Sequence, residues 1–138
     1  MPSDPYRILV VDDLEDNLFL LQAVLQAEGY QVELANSGSA ALTLVEVAPP
    51  DLILLDLMMP EITGLEVTQQ IRQNVNLPYI PILLVTAYEE TRAAEGLDMG
   101  ANDFIRKPID FDELLARVRA FLSFRDKVRD DALSGGLD

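Results

Sequence analysis

Three aspartates, a threonine and a lysine each follow directly on a short strand-like run. Asp12-Asp13 follow "ILVV", Asp56 follows "LILL", Thr86 follows "PILLV" and Lys107 follows "NDFIR". A charge at the end of a buried strand is costly unless something makes use of it. If the runs lie side by side, three carboxylates converge, and they cannot all ionise comfortably without a cation. The donors are hard oxygens with no histidine or cysteine among them, which points to magnesium or a similar ion that keeps several waters. A divalent ion among carboxylates, with an ammonium and a hydroxyl opposite, suits phosphoryl transfer, where the protein mainly positions the group and neutralises its oxygens. Asp56 is then the best candidate nucleophile, with an aspartyl phosphate as product.

Composition narrows the classes further. At 138 residues the chain has room for one domain with a proper core, and 49% apolar residues make it globular. No apolar run approaches membrane-spanning length and "MPSDPYR" lacks the form of a signal peptide, so no membrane association is expected. With no cysteine, a cytoplasmic location is the default. The net charge of −14 repels nucleic acid and favours cations or basic partner surfaces. No basic recognition helix is present, so this chain is not expected to bind DNA. The absence of histidine removes the commonest general base, excludes serine-histidine and cysteine-histidine chemistry, and means that any phosphohistidine must belong to another protein.

The elements that must position these residues are legible as an alternation. Strand-like runs lie at 8–11, 31–35, 51–55, 81–85 and 102–106. The first intervening helix carries Leu14, Leu18, Leu21 and Leu25 at helical spacing and stops at Gly29. A second spans about 37–47 before Pro49-Pro50, and a third follows Thr63 with Val67 and Ile71 on one face. The fourth, about 89–97, has only Ala93, Ala94 and Leu97 to turn inward and is interrupted by Gly96, so it is weakly anchored. The fifth begins at Asp110, with Glu113 placed as in a capping box, and its pattern extends into "FRDKVRDDAL". Five strands alternating with five helices imply an α/β fold with a doubly wound parallel sheet. Right-handed crossovers give the order 2-1-3-4-5, with the winding reversing between strands one and three, where ligands bind beyond the strand ends. Asp12, Asp13 and Asp56 flank that crevice.

The segments "ILVVDD", "LILLDLMMPEITG", "PILLVTA" and "GANDFIRKPID", in this order and at these intervals, resemble the signature segments of response-regulator receiver domains, the phosphoacceptor modules of two-component signalling. The resemblance implies a flavodoxin-like (βα)5 receiver over 7–124, with 1–6 a tail and 125–138 a helical extension or truncated linker. It implies Asp56 as the phosphorylated residue. Magnesium would be held by Asp13, Asp56 and the backbone carbonyl of Met58, with Asp12 acting largely through water. The phosphoryl oxygens would be held by Thr86 and Lys107, helped by the N–H groups of Met58 and Ala87. The Lys107–Pro108 peptide is expected to be cis, and Thr86 and Phe104 to form a switch that reshapes the face of the fourth helix, fifth strand and fifth helix. The donor would be a sensor histidine kinase or a histidine phosphotransfer protein. Arg117 and Arg119, with Asp98 and Asp103, are either solvated or paired across a homodimer on that face. Met58 and Tyr88, bulky and unable to act as strong bases, are expected to restrict water and slow self-dephosphorylation.

Other readings remain in play at this level. A receiver-like module that works without phosphorylation would need none of Asp12, Asp13, Asp56, Thr86 and Lys107. An aspartyl-phosphate phosphatase would need a second aspartate where Met58 stands, so the chain reads as a self-modifying switch and not as an enzyme on small molecules. A flavin or nucleotide carrier of the same topology would want a glycine- or serine-rich loop after the first strand, where "VVDDLEDN" presents acid to an anion.

Overall fold

The computed structural model describes residues 5–87 and 92–135. Strand and helix alternate five times: β1 (Arg7–Val11), α1 (Glu15–Ala27), β2 (Gln31–Ala35), α2 (Gly38–Val47), β3 (Leu52–Asp56), α3 (Gly64–Gln73), β4 (Ile82–Thr86), α4 (Ala93–Asp98), β5 (Asp103–Arg106) and α5 (Phe111–Gly135). The sheet order is β2-β1-β3-β4-β5 and every pairing is parallel. The order and the parallel pairing agree with the sequence reading.

The continuous apolar runs are explained by burial on two faces. Every position of β3 and β4 is buried. Successive residues point to opposite sides: Leu9, Ile53 and Ile82 meet α2 and α3, while Ile8, Leu52 and Leu83 meet α1 and α5. Each fully buried aliphatic side chain contributes about 1.5–3 kcal/mol relative to leaving it in water. β2, at an edge, is mostly half-buried, as its alternating sequence requires.

Helix starts show how local chemistry sets the frame. Ser37 accepts a hydrogen bond from the Ala40 N–H at the start of α2. Thr63 and Glu66 form a reciprocal capping box on α3, which the spacing T-x-x-E announces. Leu14, at the N-cap of α1, has no side chain able to cap, and its own N–H donates to the Asp12 carboxylate at 2.9 Å. Asp110 accepts from the N–H groups of Asp112 and Glu113 at the start of α5.

Several elements differ from expectation. β3 and β4 run one residue further than the aliphatic runs, because parallel pairing continues through Asp56 opposite Val85 and Thr86 opposite Arg106. α4 is six residues long, Ala94 is exposed, and Leu97 is 38% exposed, so neither anchors it. The buried residues are Ala93 and Gly96. Gly96 lies in the packing surface: a Cβ there would stand 2.2 Å from Leu84 Cδ1. Residues 89–91 of the predicted helix lie outside the described residues.

α5 is a single helix of 25 residues that runs to Gly135. Its later turns lie against the base of the domain. Arg125 pairs with Asp51 at 2.6 Å, Tyr6 donates to Asp126, and Arg129 donates to the Tyr79 carbonyl at 2.9 Å. The Phe124 ring meets Tyr79 edge-on with centroids 5.9 Å apart. Among the described residues no helix is long and apolar enough to cross a membrane.

Candidate functional site

The carboxyl ends of β1, β3, β4 and β5 form one rim, and the sheet register decides which side chains meet there. Val11 pairs with Leu55 and Asp56 with Val85, so Asp12 and Asp56 emerge on neighbouring strands. The Lys107 N–H donates to the Thr86 carbonyl at 2.8 Å, which places Lys107 beside β4. The Lys107–Pro108 peptide is cis.

One carboxylate oxygen from each of Asp12, Asp13 and Asp56 lies within 4.8 Å of the others. Asp12 and Asp56 are buried, at 2% and 6% exposure, and Asp13 is nearer to solvent. Burial pushes the Asp56 carboxyl up to about 6. The Asp12 carboxylate adds to that push and Asp13 to a lesser degree, while Lys107 and the Met58 N–H pull the other way. The Met58 N–H donates to Asp56 Oδ1 at 3.3 Å. Lys107 Nζ stands 4.0 Å from Asp12 Oδ2, close enough for attraction but short of a hydrogen bond.

These residues fit a hard divalent cation. The donors are all oxygens, two of the three carboxylates are buried, and their mutual repulsion is relieved when a cation sits among them. Asp12, Asp13 and Asp56 are the side chains that would hold it, with the Met58 carbonyl in the same loop.

The remaining expected residues are placed as follows. Thr86 is fully buried at the end of β4, with its hydroxyl 3.5 Å from the Ala87 carbonyl. Ala87 is exposed at the rim. Phe104 is half-buried in β5 opposite Leu84, with the Arg106 guanidinium 5.2 Å from its ring. Met58 is 44% exposed, and its sulfur is contacted by Arg92. Tyr88 lies outside the described residues. The loop from Asp56 into α3 turns at Glu61, which has a left-handed φ of 66°, and closes with the Gly64 N–H donating to the Leu57 carbonyl at 2.9 Å.

Arg117 is paired inside the chain. Its guanidinium meets the carboxylates of Asp103 and, at 3.3 Å, Glu113. Asn17 was passed over by the strand-end argument: its amide donates to Asp12 Oδ2 at 3.1 Å. Its signal was faint, a polar residue directly after Glu15-Asp16 in a stretch already rich in polar groups.

A doubly wound sheet with acids gathered at its switch point is the architecture of signal receiver domains. The chain belongs to the response regulator receiver domain family, whose family model matches residues 8–119. It is 43% identical over 133 residues to the response regulator PleD of Caulobacter vibrioides, covering 94% of this chain and 29% of PleD. It is 45% identical over 117 residues to the response regulator ArlR of Staphylococcus epidermidis, covering 84% of this chain and 52% of ArlR. A crystal structure of a response regulator from Chloroflexus aurantiacus J-10-fl superimposes with a TM-score of 0.82 at 34% identity, covering 86% of this chain and 98% of that one. The chain thus spans about half or less of these curated relatives' length, and the shared part is the receiver domain of two-component signal transduction.

Proposed function

We propose that this receiver accepts a phosphoryl group on Asp56 from a phosphohistidine of a sensor kinase or histidine phosphotransfer protein. The observation that carries this reading is the convergence of Asp12, Asp13 and Asp56 on one rim with Lys107 and Thr86 beside them. Asp56 Oδ attacks phosphorus, a new O–P bond forms, the donor's N–P bond breaks, and the imidazole nitrogen leaves with the electron pair. Bound magnesium would supply charge neutralisation for the phosphoryl oxygens. Lys107 and the Thr86 hydroxyl hold those oxygens, joined by the N–H groups of Met58 and Ala87. Asp13, Asp56 and the Met58 carbonyl would hold the ion directly, with Asp12 acting on it through water.

Phosphorylation then biases a switch. Thr86 moves toward the phosphoryl group, Phe104 fills the space it leaves, and the α4–β5–α5 face changes shape. That face is the proposed surface for an output partner or a second copy. Residues 7–124 form the receiver, and the extension from 125 onward is the route by which α5 reaches whatever it regulates. The bulk of Met58 over the rim limits water at the acyl phosphate, so Met58→Asn should shorten its lifetime.

The test is retardation on a phosphate-binding gel after treatment with acetyl phosphate and magnesium. The wild type should shift and Asp56→Asn should not. An unshifted wild type would instead make the chain a receiver-like binding module that works without phosphorylation, and an Asp56→Asn protein that shifts fully would move the acceptor elsewhere.

A further inference from the structure

Asp12 is buried, negatively charged and next to two other carboxylates, so the donors around it decide what it can still bind. A carboxylate offers about four lone-pair positions on two oxygens. Oδ1 accepts the Leu14 N–H at 2.9 Å and Oδ2 accepts the Asn17 amide at 3.1 Å. Both donors are neutral. They hold the carboxylate in place without cancelling its charge, and each oxygen keeps capacity for water on a metal ion.

Asp12 has a cationic partner in Lys107, with Nζ 4.0 Å from the same Oδ2 that Asn17 occupies. A charge-assisted hydrogen bond would need that separation to close by about 1 Å. If it closed, the ammonium would be withdrawn from the phosphoryl position. The pair would also cancel part of the negative charge that attracts the ion.

We infer that Asn17 is a positioning residue which, by occupying Asp12 Oδ2 with a neutral donor, keeps Asp12 available to the metal and Lys107 available to the phosphoryl group. This rests on the proposed phosphoacceptor role of the site. Asn17 lies in the first turn of α1, on a regular element, so its amide is held in register with the end of β1.

The inference has a distinctive signature, because it routes the effect of Asn17 through Lys107. Asn17→Leu keeps the number and branching of the side chain's heavy atoms and favours helix, so it removes the donor and keeps the fold. In the full chain, magnesium affinity by calorimetry should fall about tenfold, the lower end for partners of metal ligands. In a Lys107→Ala background the same change should cost twofold or less, because no ammonium remains to take the vacated oxygen. Asn17→Gln, which retains a donor, should recover most of the wild-type affinity. With acetyl phosphate, Asn17→Leu should also be slower to phosphorylate at saturating magnesium, a loss that weaker ion binding alone would not produce.

Unchanged magnesium affinity in Asn17→Leu would overturn the inference. So would an equal loss with and without Lys107, which would make Asn17 a support for Asp12 alone. If the wild type neither binds magnesium nor takes up phosphate, the phosphoacceptor reading itself fails. If it does both while the cycle shows no coupling, only the role of Asn17 fails.

Discussion

At the scale of single residues, Asp56 carries a conflict between burial and charge that pH should expose. Its carboxyl titrates near 3.8 when unperturbed and is pushed to about 6 in the fold, chiefly by burial and then by Asp12. Between these values the folded chain binds the proton more tightly than the unfolded chain. The resulting stabilisation is complete below about 3.8 and is lost as pH rises through about 6. It amounts to something on the order of 3 kcal/mol. Without metal, Asp56→Asn should therefore be more stable than the wild type at pH 7, and the gap should shrink towards pH 4. Urea denaturation in chelator across that range measures it, and a gap independent of pH would contradict the account. Magnesium should reverse the balance at pH 7, since it binds the ionised site of the folded chain.

At the scale of elements, the approach of α3 to the end of β3 fixes the shape of the loop that carries Asp56. A Cβ on Gly64 would lie 2.5 Å from the Asp56 carbonyl oxygen and 2.8 Å from Leu57 Cα. Both are backbone atoms and cannot rotate away. Gly64→Ala should cost about 1–3 kcal/mol and weaken magnesium binding together, because α3 can retreat only by moving the loop. Gly96→Ala makes a useful contrast. Its Cβ would come closer still, 2.2 Å from Leu84 Cδ1, but that atom ends a flexible side chain. The smaller loss is expected at Gly96, with denaturation midpoints of the two variants as the measurement.

At the scale of the whole molecule, stability is distributed unevenly. β3 and β4 are buried along their full length, while α4 contributes only Ala93 and Gly96 to the interior. Local opening should follow that difference. Amide exchange followed by mass spectrometry should be slowest in β3 and β4 and clearly faster in α4 than in α3, which buries Leu65, Val67 and Ile71. A poorly anchored element beside a rigid sheet is suited to a switch, since little packing must be broken to move it. Equal protection in α3 and α4 would remove α4 as the bistable part. The far end of the molecule is tied down differently. Arg72 donates to the carbonyls of Gly100 and Ile80 and to the Asn102 side chain, and its guanidinium stands 5.2 Å from the Tyr79 ring. Burial there pulls its pKa below the ordinary value. This joins α3, the start of β4 and the start of β5 at the base, away from the rim.

Sequence alone determined the alternation of elements, the parallel sheet and its order, and the gathering of Asp12, Asp13, Asp56, Thr86 and Lys107 at one rim. It could do so because strand runs and helical stripes are periodic, and because handedness leaves few ways to wind them. Tertiary structure decided the amide of Asn17 on Asp12, the capture of Arg117 by Asp103, the brevity of α4 and the seating of the α5 extension on Asp51, Tyr6 and Tyr79. Most of these are single contacts, and those of Arg117 and the extension join residues distant in the chain. No periodic pattern encodes them, and they exist only once the sheet has brought their partners together.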